Sequence, residues 1–108
     1  MYRQYQTTVM NRPNKYYRHR LAENSSDPLE LESLAGDKVE GVRKEVAQNP
    51  NTPVPILEKL AGDVDKQVRR CIARNPNTPV SLLEKLAGDK DGDVRDAVAV
   101  HYACMFGA

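Results

Sequence analysis

The sequence predicts an all-α fold, an α-solenoid built from short paired helices. The pentapeptide NPNTP occurs at residues 49–53 and again at 75–79, and each copy is followed by an apolar run that ends in LEKLAGD. When residues 49–74 are set above residues 75–100, 17 of 26 positions are identical. The chain has one Phe and no Trp, a composition that argues against a β-rich fold.

The repeat extends beyond these two copies. LAGD begins at Leu34, Leu60 and Leu86, and a Val-Arg pair keeps the same spacing at 42–43, 68–69 and 94–95. The segment 16–25, YYRHRLAENS, aligns with residues 42–51 as half a repeat. We therefore divide the chain into a basic, tyrosine-containing segment (1–15), one helical-repeat domain (16–102) and an apolar C-terminal tail (103–108). The domain contains the half repeat 16–25 and the repeats 26–48, 49–74 and 75–100.

Each full repeat is predicted to form two helices. In the repeat 49–74, Val54, Leu57 and Leu60 follow each other at three-residue spacing and indicate an amphipathic first helix, and Val68 and Ile72 indicate the buried side of a second. Asn-Pro ends the second helix, because the residue before a proline avoids the helical region. Thr-Pro starts the next helix, with Thr as the N-cap. The predicted caps are Asn49, Thr52, Asn75 and Thr78.

Three motifs together resemble the leucine-rich repeat variant family. They are N-P-x-T-P at 49–53, L-x-x-L-A at 57–61, and D-x-x-V-R with a following Ile-Ala at 65–73. The resemblance covers about residues 16–102. It implies a right-handed superhelix of paired α- and 3₁₀-helices without strands. Two departures are the 26-residue spacing, which is slightly longer than the family's usual repeat, and the lack of any cysteine-rich cluster domain.

One arginine per repeat, preceded by an aspartate, predicts a ladder between repeats, as related HEAT-type repeats have. The arginines are Arg43, Arg69 and Arg95, and the aspartates are Asp37, Asp63 and Asp89, with Asp65 and Asp91 as alternatives. In the half repeat the aligned residue is Tyr17, so the ladder is expected to stop there. The other interpretation is a basic stripe for phosphates or acidic partners.

A second set of side chains is a candidate binding face. Lys66, Arg70 and Arg74 recur at four-residue spacing along one helix, and the N-terminal segment mixes basic and tyrosine side chains, a combination that can bind nucleic acid. A solvated face is the alternative for the helix. For the N-terminal segment the alternative is a cap in which Tyr16, aligned with Val42, covers the first apolar surface. The whole candidate face comprises Lys15, Tyr16, Arg18, Arg20, Lys44, Lys66, Arg70 and Arg74.

No catalytic, metal or cofactor site is predicted. Cys71 and Cys104 have no metal-ligand spacing, and a catalytic cysteine needs a fixed base, whereas the only histidines are His19 and His101. DKDGD at 89–93 fails the calcium-loop pattern, because its glycine is displaced.

The C-terminal stretch VAVHYACMFGA, residues 98–108, is almost uncharged, although the end of a solenoid is usually polar. His101 and Tyr102 replace the Asn-Pro stop, so the last helix is predicted to run on. An apolar end of this kind is typical of an interface. Two hypotheses follow: the tail folds back over the last repeat, or it packs on a second copy of the chain as a homodimer.

The function predicted is that of a non-enzymatic helical-repeat scaffold that binds another protein. The alternative is nucleic-acid binding through the N-terminal segment and the basic face. The chain has no apolar run long enough to span a membrane and no secretory signal at its start, so a cytoplasmic location without membrane contact is expected.

Overall fold

A computed structural model describes residues 14–106 of the chain. These residues form seven α-helices and no strand. The helices are α1 Lys15–Asn24, α2 Pro28–Ala35, α3 Glu40–Gln48, α4 Val54–Leu60, α5 Lys66–Arg74, α6 Val80–Leu86 and α7 Gly92–Met105. Most of the predicted basic N-terminal segment, 1–13, and the end of the predicted tail, 107–108, lie outside the described residues.

The helices alternate between two layers. Helices α1, α3, α5 and α7 lie side by side in chain order, and α2, α4 and α6 each pack against the helices before and after them in the chain. Each full repeat therefore supplies one helix to each layer: α2 and α3, α4 and α5, α6 and α7. Such short helices are marginal in isolation, so the contacts between neighbouring repeats must hold them.

The turns between paired helices explain where each second helix begins. The Asp65 side chain accepts hydrogen bonds from the backbone N–H groups of Gln67 and Val68 at the start of α5. Asp91 does the same for Asp93 at α7, and Asn14 for Tyr16 and Tyr17 at α1. The first repeat departs from this pattern, because Val39 stands at the N-cap of α3 and offers no side-chain acceptor.

The first helices of the second and third repeats, α4 and α6, are α-helical throughout, although the family resemblance implies 3₁₀-helices here. Hydrogen bonds of the 3₁₀ type occur only at the ends of these helices, as in α4. Ile56 N donates to Pro53 O at 3.0 Å, and Gly62 N donates to Lys59 O at 3.2 Å. Both hydrogen bonds join residues three apart, which is the 3₁₀ pattern that commonly closes a short helix.

The core follows the period of the repeat. Val42, Val68 and Val94 are fully buried, and Leu34, Leu60 and Leu86 are at most 2% exposed. Full burial of each such side chain contributes about 1.5–3 kcal/mol. One residue predicted to lie inside does not: Val54 is 40% exposed, because the buried side of α4 is formed by Ile56, Leu57 and Leu60.

The half repeat is shifted by one position from its predicted alignment. Arg18 and Ala22 are buried, as Arg69 and Ala73 are, so Arg18 rather than Tyr17 corresponds to Arg43. Tyr16 is 71% exposed and does not cover the first apolar surface. The predicted alignment of Tyr16 with Val42 and of Tyr17 with Arg43 is therefore wrong.

The N-caps of α1, α3, α5 and α7 show the same shift. They stand at positions 14, 39, 65 and 91, so the first interval is one position shorter than the two that follow. A single deletion between α1 and α3 therefore accounts for the misalignment.

The last helix continues past the repeat boundary, as the sequence predicts. Helix α7 has 14 residues and ends at Met105, whereas α5 ends at Arg74, the residue aligned with Val100. Tyr102 packs against the core and stacks on Phe106, with ring centroids 5.9 Å apart. The described part of the tail therefore continues from α7 and does not fold back over the last repeat.

Candidate binding surface

Two of the predicted ladder arginines each bind the aspartate of the following repeat. Arg43 Nε lies 2.8 Å from Asp63 Oδ2, and Arg69 Nε lies 2.8 Å from Asp89 Oδ2. In each pair Nη2 donates to the second carboxylate oxygen, at 3.1 and 3.2 Å. The aspartates at 63 and 89 thus fill the ladder position, whereas those at 65 and 91 act as helix caps. This geometry makes the first two arginine positions internal contacts, so they are not a basic stripe.

Arg18 adds a rung that the sequence does not predict. Its Nε lies 2.6 Å from Asp37 Oδ2, and both side chains are nearly inaccessible. Placing Arg18 on the candidate binding face is therefore wrong. The sequence reveals this ion pair if the half repeat is aligned one position further along, because Arg18 then aligns with Arg43.

The pKa values of Arg43, Arg69 and Asp89 are shifted by the ion pairs in which they lie. The hydrogen bond to Asp63 raises the pKa of Arg43 against the opposing effect of burial, and Asp89 does the same for Arg69. Burial alone would raise the pKa of Asp89, but hydrogen bonds from Arg69 and from the Asp91 N–H bring it below its ordinary value. Arg69 and Asp89 therefore both remain charged at neutral pH.

A second ladder, which the sequence does not predict, joins the other ends of the helices. Asn75 Nδ2 donates to Ala47 O at 2.8 Å, and Asn49 Nδ2 donates to Ala22 O at 2.8 Å. His101 Nδ1 lies 2.8 Å from Ala73 O and takes the same position in the third repeat. The two asparagines are C-caps, as predicted, but their side chains also tie each repeat to the one before.

The predicted N-caps Thr52 and Thr78 have a different role. Each is 3% exposed, and its hydroxyl donates to a carbonyl of the preceding helix: Thr52 to Val46 O at 2.7 Å, and Thr78 to Ile72 O at 2.6 Å. The N-cap positions of α4 and α6 are occupied by Pro53 and Pro79, which make no side-chain cap. The threonines therefore fold the turn back on the helix that it leaves.

The remaining members of the candidate binding face form two groups, one on α1 and α3 and the other on α5. Lys15, Tyr16 and Arg20 are exposed on α1, where Lys15 Nζ lies 5.5 Å from the centre of the Tyr16 ring. Lys44 is half-buried on α3. The second group is the stripe Lys66, Arg70 and Arg74 on α5.

The stripe on α5 faces acidic residues of α7. Lys66 Nζ lies 3.6 Å from Asp91 Oδ2 and 4.0 Å from Asp93 Oδ2. The third repeat thus partly neutralises the basic side of the second.

A groove runs between α5 and α7. One part of it, called here the polar part, is lined by charged as well as apolar side chains, and the other part, of about 440 Å³, is largely apolar. The two parts share Arg74, Ala97 and Val100, so they form one continuous surface. The polar part is also lined by Arg70, Asp93 and Asp96, and the apolar part by Pro76, His101, Cys104 and Met105.

The two thiols lie in different environments. Cys71 is buried, and that burial raises its pKa above the ordinary value, while Gln48 Nε2 lies 3.3 Å from its sulfur. Cys104 is exposed, and neither cysteine is in a disulfide. Between residues 14 and 106 no group of three or more His, Cys, Asp or Glu side chains could hold a metal ion.

Stacked helix pairs joined by two ladders define the chain as a helical-repeat protein. The Leucine Rich Repeat Variant domain model matches residues 42–102, and the chain belongs to that family. Searches of curated proteins and of solved structures gave no significant match. None of the helices in the described part of the chain is long and apolar enough to cross a membrane.

Proposed function

We propose that this chain is a non-enzymatic scaffold, a right-handed α-solenoid in the cytoplasm, that binds a segment of another protein in the groove between α5 and α7. Family membership supports a role in protein interaction. The observation that carries the proposal is the groove itself, in which a polar part and an apolar part are continuous. From Asp93 to Met105 the groove runs along about 18 Å of α7.

The lining indicates what kind of segment fits. Val100 is 59% exposed and Met105 is 42% exposed, so apolar side chains of a ligand have a place to bury. Arg74 lines both parts of the groove and has no ion-pair partner among residues 14–106. A carboxylate near the middle of the ligand would pair with it. The proposed ligand is a short peptide with an acidic residue beside an apolar anchor.

Nucleic-acid binding is less well supported by the same surface. Arg18 is buried in its ion pair, Lys66 lies near two aspartates, and Asp93 and Asp96 line the groove. Phosphates approaching α5 would meet those carboxylates. In the homodimer hypothesis the interface would be the apolar end of α7, where Phe106 is 72% exposed.

The experiment is a selection of peptides from a random library on the purified chain. Peptides with an acidic residue and an apolar residue should be enriched, and Val100→Asp and Arg74→Glu should each abolish their binding. Ser81→Asp, on the exposed side of α6, is the matched control and should leave binding unchanged.

Two outcomes would overturn the proposal. One is a selection that enriches no peptide, and the other is peptides that bind Val100→Asp as well as the unmodified chain. Titration with a DNA duplex and with an RNA strand at two salt concentrations tests the alternative, because phosphate contacts give a strongly salt-dependent affinity. Light scattering over a concentration series reports whether the chain dimerises.

A further inference from the structure

The Arg43–Asp63 and Arg69–Asp89 pairs have an unfilled counterpart at Arg95. Its Nη1 donates to the backbone carbonyl of Asp89 at 2.7 Å. Arg43 and Arg69 use the same nitrogen in the same way, on the carbonyls of Asp37 and Asp63, each at 2.8 Å. The turn before α7 therefore holds the Arg95 guanidinium as the earlier turns hold theirs.

The other edge of this guanidinium has no partner among residues 14–106. Nε and Nη2 bind the next repeat's aspartate in Arg43 and Arg69, but no carboxylate lies within 4.0 Å of Arg95 in the described chain. The surface beside it is also uncovered. Ala99 is exposed, although the aligned Ala47 and Ala73 are fully buried by the following repeat.

We propose that Arg95 and Ala99 form an end face that binds a second protein through a helix-start turn carrying an aspartate. The end face lies across α7 from the groove, which uses Asp93, Ala97 and Val100, so the inference goes beyond the proposed function. An arginine already oriented by one hydrogen bond loses little freedom when its remaining edge takes a carboxylate in bidentate fashion.

The internal pairs specify what the incoming turn must carry. Asp63 stands two positions before the N-cap Asp65, and its Oδ1 accepts the Asp65 N–H at 2.9 Å while both of its oxygens accept from Arg43. Asp89 repeats this arrangement with Asp91 and Arg69. The occupant is therefore a helical hairpin with an aspartate two positions before the N-cap of its second helix.

A second copy of this chain offers no free turn of this kind, because its three aspartates at that position, Asp37, Asp63 and Asp89, already bind Arg18, Arg43 and Arg69. In its sequence the residue two places before Asn14, the N-cap of α1, is Arg12, and residues 1–20 contain no acid. An arginine at that place in the sequence cannot supply the carboxylate that Arg95 would take. The occupant is thus not a second copy of this chain.

Within the described residues the chain does not turn back after α7 as it does after α3 and α5. Helix α7 continues to Met105, beyond the point at which α3 and α5 end in an Asn-Pro turn. That turn is what brings the chain back to start the next repeat. His101, which takes the place of the asparagine, lies inside the helix.

The test uses the full chain and a fluorescent peptide with the sequence of residues 77–93, which contains α6 and the turn with Asp89. A staple between the exposed positions Ser81 and Lys85 holds the probe helical. Fluorescence anisotropy should show saturable binding, and Arg95→Gln should weaken it by about tenfold or more, the loss expected for a charged hydrogen-bonded pair.

Two matched controls distinguish the contact between Arg95 and the probe's Asp89 from nonspecific binding. A probe with Asp89→Asn should bind as weakly as the normal probe binds Arg95→Gln, and combining the two changes should add no further loss. Arg74→Gln and Val100→Asp, in the groove, should keep the affinity within about twofold. The inference is overturned if the probe does not bind the unmodified chain, or if Arg95→Gln binds it equally well.

Discussion

Arg69 and Asp89 form a bidentate ion pair across the boundary between the second and third repeats. Nε lies 2.8 Å from Oδ2 and Nη2 lies 3.2 Å from Oδ1, and the side chains are 7% and 8% exposed. The same guanidinium donates Nη1 to Asp63 O. One side chain thus joins the corresponding turns of two successive repeats, and it fixes the distance between them.

Removing this arginine should destabilise the protein strongly. We expect Arg69→Gln to lower the free energy of unfolding by about 3 kcal/mol, because it leaves the buried Asp89 carboxylate unpaired. Arg95→Gln is the matched control, since Arg95 is exposed and has no aspartate partner in the described chain; its effect should stay within about 0.5 kcal/mol. Urea denaturation measures both. Equal losses for the two variants would contradict the assignment.

Stability should depend on acid through Asp89. Its pKa in the folded chain lies below the ordinary value of 3.8, so the ionised form is favoured by folding. The resulting stability is fully present above that ordinary pKa and is lost as pH falls through the lower folded value. Asp89→Asn should therefore show a shallower loss of unfolding free energy below about pH 4. Parallel denaturation curves for the two proteins would refute this.

Thr78→Val should cost about 1–2 kcal/mol of unfolding free energy, because the change keeps the shape of a buried side chain but removes its hydrogen bond to Ile72 O. Ser81→Ala, at an exposed position of α6, should be close to neutral and serves as the control. Thermal melting followed by circular dichroism measures both. A neutral Thr78→Val would mean that this hydroxyl contributes nothing to the turn.

His101→Asn should be tolerated better than His101→Ala. Asparagine stands at the aligned positions 49 and 75 and can donate to the same carbonyl, whereas alanine leaves Ala73 O without this donor. We expect a difference of about 1 kcal/mol in unfolding free energy. Because a carbonyl only accepts, Nδ1 must carry the proton. Nitrogen NMR of the His101 ring checks this, and a lone Nε2–H tautomer would rule out the bond.

The two cysteines should differ in reactivity. Cys71 is buried, and burial raises its pKa, whereas Cys104 is exposed. The thiolate is the reactive form, so iodoacetamide should label Cys104 first and Cys71 only after unfolding. Mass spectrometry of the native chain, with Cys104→Ser as control, shows which thiol reacts. Rapid labelling of Cys71 in the native Cys104→Ser protein would contradict its burial.

Much of the fold could be predicted from the repeat. The identical positions in residues 49–100 indicate helix pairs, and the columns at Leu60 and Val68 locate the core, because periodic apolar residues report directly on burial. The sequence does not align the half repeat correctly, because Tyr16 and Tyr17 resemble core residues, whereas Tyr16 is exposed and Arg18 is buried. A tyrosine at a weakly repeated position does not reveal which side of a helix it occupies.

The candidate site was less predictable, because it depends on which side chains face each other across a boundary. The basic stripe on α5 is visible in the sequence, but Lys66 is partnered by Asp91 and Asp93 of the next repeat. The groove requires α5 and α7 to lie side by side. Neither relation follows from spacing within one helix.

The order of the helices in the repeats, the columns of buried leucines and valines, and the run-on of α7 all follow from the amino-acid sequence alone. They are consequences of local hydrophobic period and of proline chemistry. The partners of the polar residues depend instead on the stacking of the repeats, because a hydrogen bond needs two groups at a set distance. That stacking brings Arg69 to Asp89 and Asn75 to Ala47 O, and it leaves Arg95 with one edge open.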